Sequence, residues 1–300
     1  MSINNHNKLP QGKDLFYLGI GTLGIGSSGP VIALSTMAIP ILVIWRNLIG
    51  SIFMLPFAIK NQDWKKENFR KGTIYAVVAG IFLCAHFLAF FFAVRTTTVA
   101  AGTALTAMQP IFATLIVRLT GGKILKRSWI GMAIAFASMF LITGVDFQNS
   151  LRAFWGDCVA VLCALLAAFY VYFGSHAQKS LSTSSYTSIC YFTCAITGIP
   201  FGILSGDSFF NYSRKNWLLL AALVMGAQLL GHTMFNISLK RVSPAIVSLI
   251  VFFEVPIAAL LALWWLNQKP QGGTIPGILI LLFGCSIVVW GGKEKREVEY

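Results

Sequence analysis

Apolar residues dominate this chain in long blocks, and polar residues are confined to short stretches between them. Blocks fall at about 15–34, 40–59, 73–94, 99–117, 128–145, 154–174, 186–204, 216–238, 243–265 and 275–291. Each is roughly the 20 residues that a helix needs to cross a bilayer's hydrocarbon layer. The pattern predicts an all-α membrane protein with ten transmembrane helices. The least distinct boundary is near Arg95–Thr98, where two blocks are nearly continuous. Met1–Lys13 is polar, and the block after it is too long for a cleaved leader, so the first span is expected to stay as a helix.

A repeat lies on top of this pattern. His86, Arg95, Pro110, Lys123 and Gly131 have identical partners at a constant offset of 146 residues: His232, Arg241, Pro256, Lys269 and Gly277. Five spans per half is an odd number, so the second half enters the membrane from the opposite side to the first. The expectation is two inverted five-helix repeats, 15–145 and 153–292, flanked by cytoplasmic tails at 1–14 and 293–300. Inverted repeats give a physical route to alternating access, with a site near the midplane where the halves meet.

Composition and charge sharpen the class. Charged residues make up 11% of the chain and hydrophobic ones 56%, with a mean hydropathy of +0.73; a soluble chain carries about 25% charged residues. The formal net charge is +13. With both termini inside, the inner connections hold most of the Lys and Arg, including Lys60, Lys65, Lys66, Arg70 and Lys71. The outer ones hold only Arg95, Arg152, Arg214, Lys215 and Lys269. That asymmetry places both termini in the cytoplasm and the chain in a plasma (inner) membrane, and contact with anionic lipid accounts for the basic excess. No soluble segment carries a basic face with interleaved aromatics, so no nucleic-acid partner is expected.

The chain resembles the EamA-type branch of the drug/metabolite transporter (DMT) superfamily. The resemblance rests on Trp45-Arg46 after Ile39-Pro40, and on the run from Ala93 through Thr97 to Pro110. It also rests on Gly231-His232-Thr233-Met234-Phe235-Asn236, and on Ser243-Pro244-Ala245 leading to Glu254-Val255-Pro256. One departure is that glutamates common after spans four and nine in that family are replaced by Gly121-Gly122-Lys123 and Asn267-Gln268-Lys269. The resemblance implies movement of small metabolites, often amino acids or their relatives, and commonly export. The superfamily also includes carriers that exchange a larger charged metabolite, such as a nucleoside derivative or nucleotide sugar.

Polar residues inside the spans are the candidates for substrate binding or coupling. Glu254 falls near mid-depth of span nine, where an acid costs roughly 2.5 to 3.5 kcal/mol unless it is paired or wet. It suits a coupling proton or a cationic substrate group; the alternative is a bond to a neighbouring helix. Arg46 in span two needs water, an acid or a carboxylate-bearing ligand; the alternative is a snorkelling or structurally paired arginine. Trp45 beside it packs, faces lipid or stacks on substrate. His86 and His232 sit at matched positions and either line a cavity from both halves or bridge helices. Asn236 is one turn from His232 on the same face. Gln109, Gln228, Tyr75, Tyr170 and Tyr191 are further lining candidates. Pro110, Pro256 and Pro30 are candidate hinges, and Pro256 is expected to leave the Phe252 carbonyl without its usual amide partner.

The six cysteines all fall in predicted spans and show no disulfide or metal spacing. There is no phosphate-binding loop, nucleophile elbow, zinc helix or dinucleotide fingerprint, so no cofactor, metal or enzymatic activity is expected. The expected function is a secondary active transporter, an exporter or exchanger, of small polar metabolites such as amino acids. Its partners are a small-molecule substrate, the lipid bilayer and a coupling proton, in a monomer or homodimer. A non-transport membrane subunit is the remaining alternative.

Overall fold

The computed structural model of the chain describes residues 12–121, 123–231, 234, 250–269 and 272–298. Among them there is no strand. The helices are α1 (Gly12–Gly26), α2 (Ser28–Leu34), α3 (Ile39–Asn61), α4 (Phe69–Thr96), α5 (Val99–Thr106), α6 (Gln109–Leu119), α7 (Lys126–Asn149), α8 (Leu151–Ala177), α9 (Thr183–Leu204) and α10 (Arg214–Ala222). A π-helical segment, Leu223–Gly231, continues α10; α11 (Glu254–Leu266) and α12 (Thr274–Val298) complete the set. Seven of the described stretches are long and apolar enough to cross a membrane, and the α11 stretch and Thr274–Trp290 are shorter apolar helices.

Local chemistry sets the helix starts. Thr98, Ser150, Ser182 and Ser213 are N-caps whose side-chain oxygens accept from Ala101, Ser185, Ala153 and Asn216 amides in the order 98, 182, 150 and 213. Each satisfies one of the four amides a helix N-terminus leaves open. The nearly continuous stretch at Arg95–Thr98 breaks at Thr97, whose backbone is extended. Three interruptions precede prolines: Ser27 before Pro30, Ala107–Met108 before Pro110, and Phe252–Phe253 before Pro256. A proline in the first turn gives up no helical hydrogen bond. Pro56 and Pro200 instead lie inside α3 and α9.

The helices pack in long pairs: α4 along α8, α3 along α9, α7 along α12, and α1 against the π segment. Glycines allow the closest approaches. A Cβ on Gly131 would lie 2.7 Å from the Gly284 carbonyl, and one on Gly24 would lie 2.6 Å from that of Gly226. Outward, large apolar side chains such as Phe57, Leu119, Phe140, Leu204, Trp264 and Phe283 are exposed. Such a continuous apolar exterior fits hydrocarbon rather than water.

Candidate functional site

Arg46 defines the interior site. It sits on α3 and is only 3% exposed, held between α4, α9 and the π segment. Its Nε donates to Gln228 Oε1 at 3.0 Å, and its guanidinium carbon lies 4.2 Å over the Phe87 ring and 5.8 Å from that of Phe91. A cation over an aromatic face recovers part of its lost hydration. The two terminal nitrogens bond to no described residue, and no described carboxylate lies within ion-pair distance. Gln228 is 2% exposed and its Nε2 has no hydrogen-bond partner among the described residues. Gly50 makes room for it, since a Cβ there would collide with that nitrogen. The Arg46 fork is thus left with terminal donors that no described residue satisfies, while the Gln228 amide nitrogen packs against Gly50 beside Tyr191.

Other groups lie near Arg46 and Gln228. Tyr191 is buried beside Gln228, and Tyr170 and Glu254 lie within electrostatic range of Arg46. Glu254 is the first residue of α11, is half-buried, and hydrogen-bonds to no described residue. It follows a turn at Phe252–Phe253 rather than lying deep in an unbroken helix, which corrects the expectation for span nine; residues 243–249 of that span lie outside the described residues. The Phe252 carbonyl also departs from expectation. The Val255 amide donates to it at 3.2 Å, because a tighter turn replaces the helical bond lost at Pro256.

The remaining sequence candidates are distributed differently. His86 Nδ1 is 3.1 Å from the Cys163 carbonyl, and its ring lies parallel to that of Phe90. It therefore ties α4 to α8 next to Phe87, with Nδ1 as the donor. Trp45 turns away from Arg46, donating from Nε1 to the Phe209 carbonyl at 2.8 Å and packing edge-on to Phe210 and Trp217. Tyr75 stacks on Phe173 and His176, well along α4 from Phe87. Gln109 is half-buried at the start of α6, beside Pro110. His232 and Asn236 lie outside the described residues.

Three features escaped the sequence reading. Phe87 and Phe91 are one turn apart on α4, a spacing that places both on one face, yet aromatic residues are too common here to single them out. The π segment that presents Gln228 leaves no composition signal, although such segments recur at functional sites. The third is the closeness of two acids: Asp157, fully buried, neighbours Thr97 and Asp146, and Asp146 accepts from Thr97 Oγ1 at 3.0 Å.

A multi-pass helical membrane protein with a broken-helix interior site is the architecture of a transporter. The chain matches the EamA-like transporter family twice, over residues 12–144 and 154–290. It belongs to that family, and transmembrane transport is its class of function. It is 24% identical over 266 residues to the uncharacterized transporter YxxF of Bacillus subtilis (strain 168), covering 86% of this chain and 83% of that protein. It is 20% identical over 257 residues to the pseudopaline exporter CntI of Pseudomonas aeruginosa, covering 84% and 87%. A solved crystal structure shares the fold with a TM-score of 0.63 at 17% identity, covering 95% of this chain and 99% of that one.

Proposed function

We propose that the chain is a secondary transporter for a small metabolite carrying both a carboxylate and an amino group, moved by alternating access between two inverted five-helix repeats. The observation that carries this reading is the buried Arg46 fork, anchored through Nε by Gln228, with Glu254 in electrostatic range. A planar guanidinium fork matches a carboxylate in a bidentate way. Glu254, with no hydrogen bond from a described residue, is suited to a substrate ammonium or a coupling proton. An amino acid or a compound built from one offers both charges. Export fits the printed name of the Pseudomonas aeruginosa relative.

Several contacts support the inverted repeat. Gly121 and Asn267 are matched in the repeat register, and both end a helix in the left-handed region, with φ of 93° and 55°. Gly131 packs on Ile287 while its counterpart Gly277 packs on Leu141, the counterpart of Ile287. The helix pairs also map onto one another: α3 with α9 and α7 with α12 are self-matched, and α4 with α8 corresponds to the π segment with α1. The charge distribution supports an orientation with both termini in the cytoplasm and an inner-membrane location.

The test is a thermal-shift screen of purified protein against amino acids, amino-acid conjugates and nucleotide sugars, followed by counterflow of each stabilising compound in proteoliposomes. Stabilisation and counterflow by compounds with both charges support the reading. Selectivity for nucleotide sugars, or for compounds lacking a carboxylate, contradicts it.

A further inference from the structure

Consecutive helices α8 and α9 pack mainly on α4 and α3 rather than on each other. Between them lies a cavity of about 160 Å³. Tyr170, Ser175 and Gln178 line it from α8, and Thr183, Thr187 and Tyr191 from α9. These residues span the groove from the α8–α9 turn to the Arg46 site. Gln178 and Thr183 are exposed at the turn, while Tyr191 is buried beside Gln228. Thr183 to Tyr191 corresponds to about 12 Å of helix at about 1.5 Å per residue.

Among the described residues the lining mixes apolar surface, including Val171 and the tyrosine rings, with uncharged polar groups. Its small hydroxyls spend their protons locally. Ser175 donates to the Tyr172 carbonyl at 2.7 Å, Thr187 to the Thr183 carbonyl at 2.8 Å, and Thr183 to Gln178 Oε1 at 3.3 Å. What they leave for a ligand is oxygen lone pairs, which receive N–H and O–H donors. Gly174 sets the width, because a Cβ there would collide with the Tyr186 hydroxyl. With no cation in the lining, a lipid phosphate finds no counter-charge here. The mouth lies beside Lys179 and the Asp63–Ser182 bond, on the basic face assigned to the cytoplasm.

We propose that this groove is the cytoplasmic passage to Arg46 and a binding subsite for a neutral, donor-rich part of the substrate, such as hydroxyl or amide groups. It rests on the reading of Arg46 as the carboxylate site. The substrate class narrows accordingly, to a carboxylate with a hydrogen-bonding tail that lies between α8 and α9 while its charged head engages Arg46.

Accessibility tests this without knowing the substrate. Thr187→Cys and Gln228→Cys proteins in oriented membrane vesicles are treated with an anionic, membrane-impermeant methanethiosulfonate, and labelling at each site is read by peptide mass. Both are expected to react at least tenfold faster from the cytoplasmic face than from the other. Filling the groove with Gly174→Val, or with Thr187→Leu if the first variant misfolds, should slow labelling of Gln228→Cys at least tenfold. Protection of Thr187→Cys from both faces overturns the proposal. So does labelling of Gln228→Cys that neither filling variant slows. If labelling behaves as expected but Arg46→Gln transports normally, the passage stands and recognition at Arg46 fails.

Discussion

Arg46 Nε and Gln228 Oε1 meet at 3.0 Å, joining span two of the first half to the π segment of the second. That bond anchors the guanidinium through Nε and leaves its terminal nitrogens without a partner among the described residues. Arg46→Lys keeps the charge but loses the fork and its anchoring. Transport of the substrate identified by the thermal-shift screen should fall at least tenfold, which is about 1.4 kcal/mol. Gln228→Leu should weaken binding while leaving a monodisperse detergent profile.

Helix approach at glycine predicts a contrast in stability. Gly131→Ala places a methyl 2.7 Å from the Gly284 carbonyl, forcing α7 and α12 apart. Overpacking of this kind costs about 1–3 kcal/mol and should lower the melting temperature in detergent. Gly19, with nothing within 4 Å of its Cβ position, is the control. Gly19→Ala should leave the melting temperature unchanged or raise it, because alanine is the better helix former by up to about 1 kcal/mol.

Asp63 predicts an acid-sensitive tie between the two halves. Burial alone would push its carboxyl up, but hydrogen bonds from Lys66, Ser182 and Ser185 outweigh that and hold it well below the usual carboxylate value of 3.8. Lys66 Nζ is 2.7 Å from Oδ1 and the Ser182 amide is 2.6 Å from Oδ2. A depressed value in the folded state means that the contribution is complete above about pH 3.8 and is lost as pH falls further. Wild type should therefore melt higher than Asp63→Asn at neutral pH, with the gap closing below pH 3.8. A gap that is constant with pH would show that the carboxylate charge contributes nothing.

Trp45 predicts a latch at the α9–α10 end of the bundle, the end that the proposed orientation puts outside. Its bond to the Phe209 carbonyl and its contacts with Phe210 and Trp217 hold the α9–α10 connection over the α2–α3 turn. Asn216 reinforces this by accepting from Ser35 Oγ and the Thr36 amide at 3.0 and 2.9 Å. Trp45→Ala should increase labelling of Met37→Cys by an impermeant thiol reagent added outside, since Met37 is fully buried when the latch is closed.

The helical, multi-span class was legible because membrane helices demand long apolar runs; the helix ends were not, since Thr97, Ser150 and Ser182 set them by local capping or extended backbone. Gly131 and Gly277, matched in the sequence register, both sit at close helix approaches that tolerate nothing larger. Arg46 and Glu254 stood out by charge alone. Gln228 and Tyr191 were lining candidates by polarity, but Phe87 is an ordinary residue in an apolar chain, and only tertiary packing shows which of the candidates meet at Arg46. The break before Pro256 was foreseen as a freed carbonyl, whereas the chain re-satisfied it by a tighter turn.

The most direct test of substrate recognition between Arg46 and Glu254 is transport by Glu254→Gln in proteoliposomes. The amide preserves shape and hydrogen bonding but removes the charge and its titration. The account predicts at least a tenfold loss of transport, about 1.4 kcal/mol, together with loss of its response to an imposed pH gradient or to substrate charge, and an unchanged detergent profile. Near-normal transport with the same pH response and the same selectivity would contradict it.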